Sequence, residues 1–503
     1  MAKKIVIIMT DTQRTDMVSC YSRRDGKNAG VKTPHIDSIA TDGIRFNKAY
    51  TTQPVCGPAR SAIFTGLFPH SNGVCTNSVS LYDNVKTVGQ RMSDNGFHTA
   101  YIGKWHLDGG DYFGTGKCPD GWDKNYWYDM RCYLEELSDE DRLRSRQQDS
   151  MRKDGGISED FTYGHRCSEK AIDFLKTKGE EDFLLVVSYD EPHGPCLCPE
   201  PYASMYNSHE FPLSPNIYDS LENKPDYQKV WAGNALYEDR SKAKIRGGYF
   251  FGCNTFVDYE IGRIYDAIKK YADDALVIYT SDHGDFLGSH RLNNKGPAAY
   301  DEIAHIPLIM QCKGLIEPGK IYDAPVSHID IVPTVLDFAG IPVPKILQGK
   351  SLIPAFKNTE HTIRVNEYVF IEFERYEIDH DGFGGWQPMR AVYDGRYKLS
   401  VNIMSSDELY DLENDPYEIC NLISEESLKE VRNHLHDILL EWQNSTRDPL
   451  RGYYWETRPW RTDARKPTWE YTGMTRQREN EEYEPRQLDY DTGLAMTEAV
   501  RQK

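Results

Sequence analysis

Four short apolar stretches of this chain run directly into side chains capable of chemistry. Lys4–Thr10 leads into Asp11-Thr12-Gln13, and His98–Gly103 into Lys104-Trp105-His106. Phe183–Tyr189 leads into Asp190-Glu191-Pro192-His193, and Ala275–Ser281 into Asp282-His283-Gly284-Asp285. An Asp after a strand is ordinarily a turn residue, so each stretch alone is unremarkable; four on one edge of a sheet are not. Asp11, Asp282 and His283 offer two hard carboxylate oxygens and an imidazole, a set suited to Ca2+, Mg2+ or Mn2+ rather than to a structural zinc. Lys104, Lys295 and Arg60 would surround it, with His106 and His193. Cations that hold an oxyanion and histidines that move protons are what hydrolysis of a sulfate or phosphate ester requires.

The segment PVCGPARSAIFTGLFPH, residues 54–70, adds a cysteine. Its ordinary interpretation is a buried thiol in a turn, since free Cys packs as a small hydrophobe. Pro58, however, suits the first turn of a helix, where a missing N–H costs nothing. Such a helix aims its free N–H groups at an anion, with Cys56 at that end and Arg60 on or near the same face. In thiol-based protein phosphatases the Arg follows the Cys at a longer spacing, and position 62 here is Ala. A bare thiolate attacking phosphate is therefore disfavoured.

These residues need a scaffold. The four stretches and Ile306–Cys312 are short, apolar and rich in β-branched residues, as buried strands are. Helical patterns lie between them at Thr87–Asn95, Arg166–Thr177 and Gly252–Tyr271. Alternation of this kind predicts an α/β fold, a largely parallel sheet sandwiched by helices, which binds ligands beyond the carboxyl ends of its strands. After about residue 363 the pattern changes. Met389–Val401 alternates around Asp394-Gly395, a hairpin signal. Ser424–Asn444 carries one apolar stripe, Leu428, Val431, Leu435, Ile438, Leu439 and Trp442. The expected organisation is a catalytic α/β domain over 1–365 and a smaller C-terminal domain, an antiparallel sheet with a packed helix, over 366–446. A tail over 447–503 would wrap the domains, docked by Trp455, Trp460 and Trp469.

The 503 residues carry a net charge of −19, which argues against nucleic acid or long polyanions as partners. The eleven cysteines are odd in number and scattered, unlike a disulfide framework or a zinc ribbon. No stretch approaches the roughly 20 apolar residues of a membrane helix. Met1-Ala2-Lys3-Lys4 enters the first strand without a signal-peptide pattern. The expected location is the cytoplasm, with no membrane partner; a homo-oligomer is compatible with the composition.

Cys56-Gly57-Pro58-Ala59-Arg60, continued by Phe64-Thr65-Gly66, resembles the signature of the type I, formylglycine-dependent sulfatases. Met9-Thr10-Asp11, Gly103-Lys104-Trp105-His106-Leu107, Asp282-His283-Gly284-Asp285 and Lys295-Gly296 resemble further blocks of that family, in family order. Glu408-Leu409-Tyr410-Asp411-Leu412 with Asp415-Pro416 resembles its C-terminal domain, so the resemblance spans about residues 1 to 445. It implies an alkaline-phosphatase-like fold and conversion of Cys56 to formylglycine by a maturation enzyme. It also implies a metal, Ca2+ first with Mn2+ or Mg2+ as alternatives, held by Asp11, Asp282, His283, residue 56 and Thr12. Arg60 would steady the hydrated aldehyde, and Lys104 and Lys295 would neutralise the sulfate. His193 would protonate the departing alcohol, and His106 would take the proton that lets the aldehyde return. The substrate implied is a small sulfated sugar, with Arg375, His380 and Trp386 as candidate contacts whose ordinary interpretation is surface and hairpin packing.

Three positions depart from the family pattern. Many members carry a second Asp where Thr12 stands and an Asn where His283 stands, and Ser is common where Ala59 stands. The formylglycine-dependent phosphonate monoester hydrolases and phosphodiesterases are the alternative, and the Lys104/His106 pair argues against them. A catalytically silent sugar- or anion-binding protein, with Cys56 left as a thiol, is the remaining reading.

Overall fold

In a computed structural model, residues 2–464 are described except 22–25, 27–28, 78, 110–111, 154, 357–362 and 377–385, together with residue 493. The centre is an eight-stranded sheet in the order β5-β4-β6-β1-β7-β8-β2-β9. Its strands are β1 (Lys4–Thr10), β2 (Ile44–Phe46), β4 (His98–Gly103), β5 (Trp127–Tyr128), β6 (Phe183–Ser188), β7 (Leu276–Ser281), β8 (Leu308–Gln311) and β9 (Lys320–Tyr322). The two-residue strands β3 (Ala49–Tyr50) and β10 (Val326–Ser327) form a separate pair. From β5 to β7 all neighbours are parallel, whereas β8 runs antiparallel to both β7 and β2.

Alternation along the strands builds two cores. Ile5, Ile7 and Met9 of β1 join Leu184, Val186, Leu276 and Ile278 beneath Ile63 and Phe64 of the helix Cys56–Thr65 and Val332 and Val335 of the helix Ile331–Ala339. Val6 and Ile8, with Leu185, Val187 and Val277, face the helices Tyr163–Lys178 and Gly248–Tyr271 through Phe174, Ile261, Ile264 and Ile268. A strand buried on both faces needs apolar residues at every position, hence the continuous runs in the sequence. The helix expected over Thr87–Asn95 is Val88–Ser93, because Thr87 and Gln90 form a reciprocal capping box at its start. Among the described residues no helix is long and apolar enough to cross a membrane.

The second sheet is antiparallel, in the order β11 (Val369–Arg375), β12 (Trp386–Tyr393), β13 (Tyr397–Asn402) and β14 (Glu408–Asp411). The hairpin at Asp394-Gly395 forms, pairing Tyr393 with Lys398. One face of this sheet, Val369, Ile371, Phe373 and Ala391, packs on Tyr50, Val55 and Ala304 of the larger part. The other, Val392, Leu399, Val401 and Leu409, takes Leu435, Leu439 and Trp442 of the helix Lys429–Thr446. The following segment lies against that helix, with His436 Nε2 2.7 Å from the Trp455 carbonyl and Arg458 Nε 2.7 Å from Asp407 Oδ2. Trp469 lies outside the described residues.

Candidate active site

Strand register decides which side chains meet. In the central sheet Met9 pairs with Ser188, Ser188 with Gly103, and Thr10 with Ser281. The next residues, Asp11, Lys104 and Asp282, therefore emerge side by side at the carboxyl edge, where a parallel sheet binds its ligands. Gly103 permits this with a φ of +124°, and a Cβ there would stand 1.9 Å from the Ser188 carbonyl oxygen. Only glycine fits.

Arg60 occupies the centre and is fully buried. Its Nε lies 3.1 Å from Asp282 Oδ2 and its Nη2 3.0 Å from Asp11 Oδ2, while Nη1 donates to the Lys104 carbonyl and to Ser188 Oγ. Every nitrogen of the guanidinium is thus engaged by protein. Arg60 thereby ties the ends of four strands, β1, β4, β6 and β7, into one array beside Cys56. Lys104 Nζ adds contacts of 2.8 Å to Asp11 Oδ2 and 3.0 Å to Asp190 Oδ1. Burial penalises the charge on Lys104, yet Asp11, Tyr112 and Asp190 outweigh it and hold its pKa well above the ordinary value.

With these cations on the Oδ2 atoms, the Oδ1 atoms turn toward residue 56. Thr12, in left-handed backbone at φ 63°, donates its hydroxyl to Asp11 Oδ1 at 2.6 Å and its amide to Asp282 Oδ1 at 3.1 Å. It orients both carboxylates. His283 Nε2 lies 3.2 Å from Cys56 Sγ and 3.7 Å from Asp282 Oδ1. One ligand atom from each of Asp11, Cys56, Asp282 and His283 falls within 4.8 Å of the others, and all four residues are buried. This donor set fits a divalent ion. His283 Nδ1 is 2.8 Å from the Gly284 carbonyl, which can only accept, so Nδ1 carries the hydrogen and the lone pair of Nε2 points into the cluster. Burial, and then the neighbouring Asp11 charge, push the Asp282 carboxyl up.

Cys56 stands at the first position of its helix, and no side chain of the preceding Val55 caps it. Asn77, which sequence reasoning missed, accepts the Gly57 amide at 2.8 Å and would be crowded by a Cβ at Gly57. Lys295 Nζ sits 3.1 Å from Cys56 Sγ. Burial and Asp11 push the thiol up, but Lys295, Lys104 and His283 together hold it well below the ordinary thiol value. An oxygen nucleophile at this position would meet the same field.

His193 and His106 lie across from Lys104, joined by Tyr112, a second residue the sequence did not single out. The Tyr112 hydroxyl contacts His193 Nδ1 at 2.9 Å, and its ring meets the His106 ring edge-on at 5.3 Å. His106 is buried in left-handed backbone, and its Nδ1 has no hydrogen-bond partner among the described residues. Burial, reinforced by Lys104, brings His193 down to about 4.

The candidate sugar contacts are placed less directly. Arg375 pairs with Trp386 across β11 and β12, and Trp386 is 42% exposed. The carbonyl of the next residue, Tyr376, accepts from Thr76 Oγ1 at 2.8 Å and from the Asn77 amide at 3.2 Å. The end of β11 is therefore bonded to the loop that caps the Cys56 helix. His380 lies outside the described residues. A spaced pattern along the chain cannot reveal Asn77 or Tyr112, because each acts on partners fixed only by the fold.

The sulfatase family profile matches residues 3–341, and the profile of the N-sulphoglucosamine sulphohydrolase C-terminal region matches residues 288–445. The chain is 43% identical over 495 residues to the uncharacterized sulfatase YidJ of Escherichia coli (strain K12), covering 97% of this chain and 96% of that one. It is 26% identical over 522 residues to an N-acetylglucosamine-6-O-sulfatase of Bacteroides thetaiotaomicron, covering 88% and 87%. Two solved structures share the fold at a TM-score of 0.71. One, with D-glucosamine-2-N,6-O-disulfate as its substrate, is 23% identical over 89% of this chain and 99% of its own. The other, a phosphonate monoester hydrolase of Agrobacterium radiobacter, is 22% identical over 88% and 96%. The chain is a sulfuric ester hydrolase and belongs to the sulfatase family, within the alkaline-phosphatase-like superfamily.

Proposed function

We propose that this enzyme hydrolyses the sulfate ester of a small carbohydrate at residue 56. One observation carries this reading: Lys104 and Lys295 flank the amino end of the Cys56 helix, where Asp11, Asp282 and His283 converge. The names of the relatives support the substrate class, since one is an N-acetylglucosamine-6-O-sulfatase and a fold neighbour has a disulfated glucosamine as substrate.

Residue 56 would act after a maturation enzyme has converted its thiol to formylglycine, whose hydrate supplies a hydroxyl nucleophile and a second hydroxyl for release of sulfate. A divalent ion, Ca2+ in the first instance and Mn2+ or Mg2+ as alternatives, would be held by Asp11, Asp282, His283 and residue 56, and supplies Lewis-acid polarisation of oxygen. Thr12 would keep both carboxylates facing that position. Lys104 and Lys295 neutralise the sulfate oxygens, and their burial makes each charge count for more than it would in water. Arg60 would steady the hydrated aldehyde, and by keeping the strand ends fixed it limits reorganisation as charge develops. His193 donates a proton to the departing sugar oxygen, and His106 takes a proton from the second hydroxyl. Arg375, His380 and Trp386 would line the outer, sugar-facing side.

Peptide mass spectrometry across residue 56 of protein isolated from its native host tests the nucleophile. The aldehyde or its hydrate is expected, and an unmodified thiol would rule the mechanism out. Turnover of an aryl sulfate against an aryl phosphodiester tests the reaction class. A large preference for the diester would transfer the assignment to the phosphonate monoester hydrolase and phosphodiesterase branch.

A further inference from the structure

The proton donor proposed above needs a defined tautomer, and the sequence offers nothing to set it. Tyr112 does. Its hydroxyl stands 3.0 Å from Lys104 Nζ and 2.9 Å from His193 Nδ1, and forms a short bond with Asp190 Oδ1. A phenol has one hydrogen to give and lone pairs to accept. Asp190 is held ionised: burial pushes it up, but Lys104 and His193 outweigh burial and lower it. The hydrogen in the short Tyr112–Asp190 bond must therefore come from Tyr112. Lys104 Nζ can only donate, so it uses a lone pair of the phenol oxygen. His193 Nδ1 must then donate as well. Its other neighbour, the Gly194 carbonyl at 3.1 Å, requires the same, because a carbonyl only accepts. Nδ1 carries a hydrogen, and Nε2 is the ring atom left to exchange a proton with a ligand.

We propose that Tyr112 is a positioning residue for catalysis: it fixes the His193 ring and relays the negative charge of Asp190 to it, so that Nε2 serves as the acid for poor leaving groups. This rests on the assignment of His193 as the donor. In the step concerned, an oxygen of hydrated residue 56 forms its bond to sulfur as the bond from sulfur to the sugar oxygen breaks, and the electron pair of the broken bond stays on the sugar oxygen. The oxygen takes the proton from Nε2, and the imidazolium becomes neutral with its Nδ1–H still on Tyr112. The charged and titratable groups facing His193 are Lys104, Asp11, Lys295, Asp190 and Tyr112. Burial, Lys104 and Lys295 disfavour the imidazolium in the free site, whereas Asp11 and Asp190 favour it, Asp190 by way of the Tyr112 hydroxyl. The negative charge of a bound sulfate ester would add to these two and let Nε2 hold its proton. A third contact reinforces the placement: the Tyr112 ring lies 4.1 Å from Lys104 Nζ and in tilted contact with the His193 ring at 5.4 Å. One side chain thus spaces the sulfate-binding cation from the proton donor.

The test is kcat/KM of the matured, metal-loaded enzyme along a series of sulfate esters, from nitrophenyl through phenyl to a sugar 6-sulfate. Good leaving groups need no acid, so a lost acid steepens the dependence on the leaving group, whereas partial unfolding scales every substrate alike. Tyr112→Phe is expected to cut the sugar sulfate roughly tenfold more than the nitrophenyl ester, a part of the 10²–10⁴ that general acid catalysis supplies. His193→Ala should steepen the series further, and His193→Ala with Tyr112→Phe no further than His193→Ala alone. Asp190→Asn, which keeps the shape and removes the relayed charge, should steepen it in the same sense and serves if Tyr112→Phe does not fold. A uniform loss in Tyr112→Phe, or in Asp190→Asn where it is used instead, would overturn the positioning role and leave the His193 assignment intact. A uniform loss in His193→Ala would overturn the assignment itself.

Discussion

Among the described residues two arginines, Arg60 and Arg390, are fully buried, and their surroundings differ in a way that separates structure from function. Arg390, on β12, binds Asp448 through Nε at 2.6 Å and Nη2 at 3.0 Å, Glu374 at 2.8 Å, and the carbonyls of Phe373 and Met389. Around it Gln443 closes the remaining face of Asp448, and His70 pairs with Glu372. Arg60 is equally enclosed, but the carboxylates it binds present their second oxygens to Cys56 and His283, with Lys295 opposite. The first cluster directs its charges at one another between the second sheet and the residues that follow the helix Lys429–Thr446. The second directs part of its charge at a place where a ligand would sit. Burying charge without full pairing is costly, so its retention around Cys56 points to use rather than stability.

This contrast can be broken or sharpened by measurement. The largest effect expected is on stability at Arg390. Arg390→Met leaves Asp448 and Glu374 buried without their partner and should cost about 3–5 kcal/mol in denaturant unfolding, while kcat per folded molecule changes little. A large loss of kcat with unchanged stability would erase the distinction. Next, Lys295→Ala should lower kcat/KM about 10²–10³-fold, the usual cost of one oxyanion-stabilising group, with a smaller change in melting temperature than Arg390→Met. If melting falls as far as in Arg390→Met, Lys295 is a structural cation.

The smallest effect is the share of the pH dependence that belongs to the Arg390 cluster. Burial pushes Asp448 up, but Arg390 outweighs it and holds the carboxyl at about 2 against an ordinary 3.8. A depressed carboxylate contributes stability that is present above the unfolded value and lost as pH falls through the folded one. That is about 2 kcal/mol, disappearing between roughly pH 4 and pH 2. His70 has the opposite sign: burial lowers it, Glu372 outweighs burial and raises it above 6.5, so its contribution is complete below 6.5 and fades as pH rises through the folded value. Asp448→Asn should flatten the acid limb of unfolding free energy against pH and leave the alkaline limb in place. An unchanged acid limb would place the titrating group elsewhere.

Much of the architecture was legible because strands buried on both faces have no choice but to be apolar throughout, and because Asp, Lys and His directly after such runs stand out. The short strands Ile44–Phe46 and Lys320–Tyr322 were not legible. They carry too few residues for a period, and only their pairing beside β8 makes them strands. The capping of Thr87 by Gln90 shortened one helix, and the helix expected from Gly252 begins at Gly248, where Gly252 lies against the Tyr202 backbone. At the site, the chain order carried Asp11, Cys56, Arg60, Lys104, Asp282, His283 and Lys295. It did not carry Asn77 or Tyr112, and it brought Asp190 to the same sheet edge without giving it a partner.

The sequence by itself determined which groups stand at the ends of which strands, since polarity and period are properties of neighbours along the chain. The tertiary structure alone decided what each group faces. It made Arg60 the tie between Asp11 and Asp282, and Tyr112 the link from Asp190 to His193. Hydrogen-bond partners across many tens of residues are chosen by strand register and by the sharing of a few donors and acceptors in a space closed to water. Neither leaves a trace in local spacing.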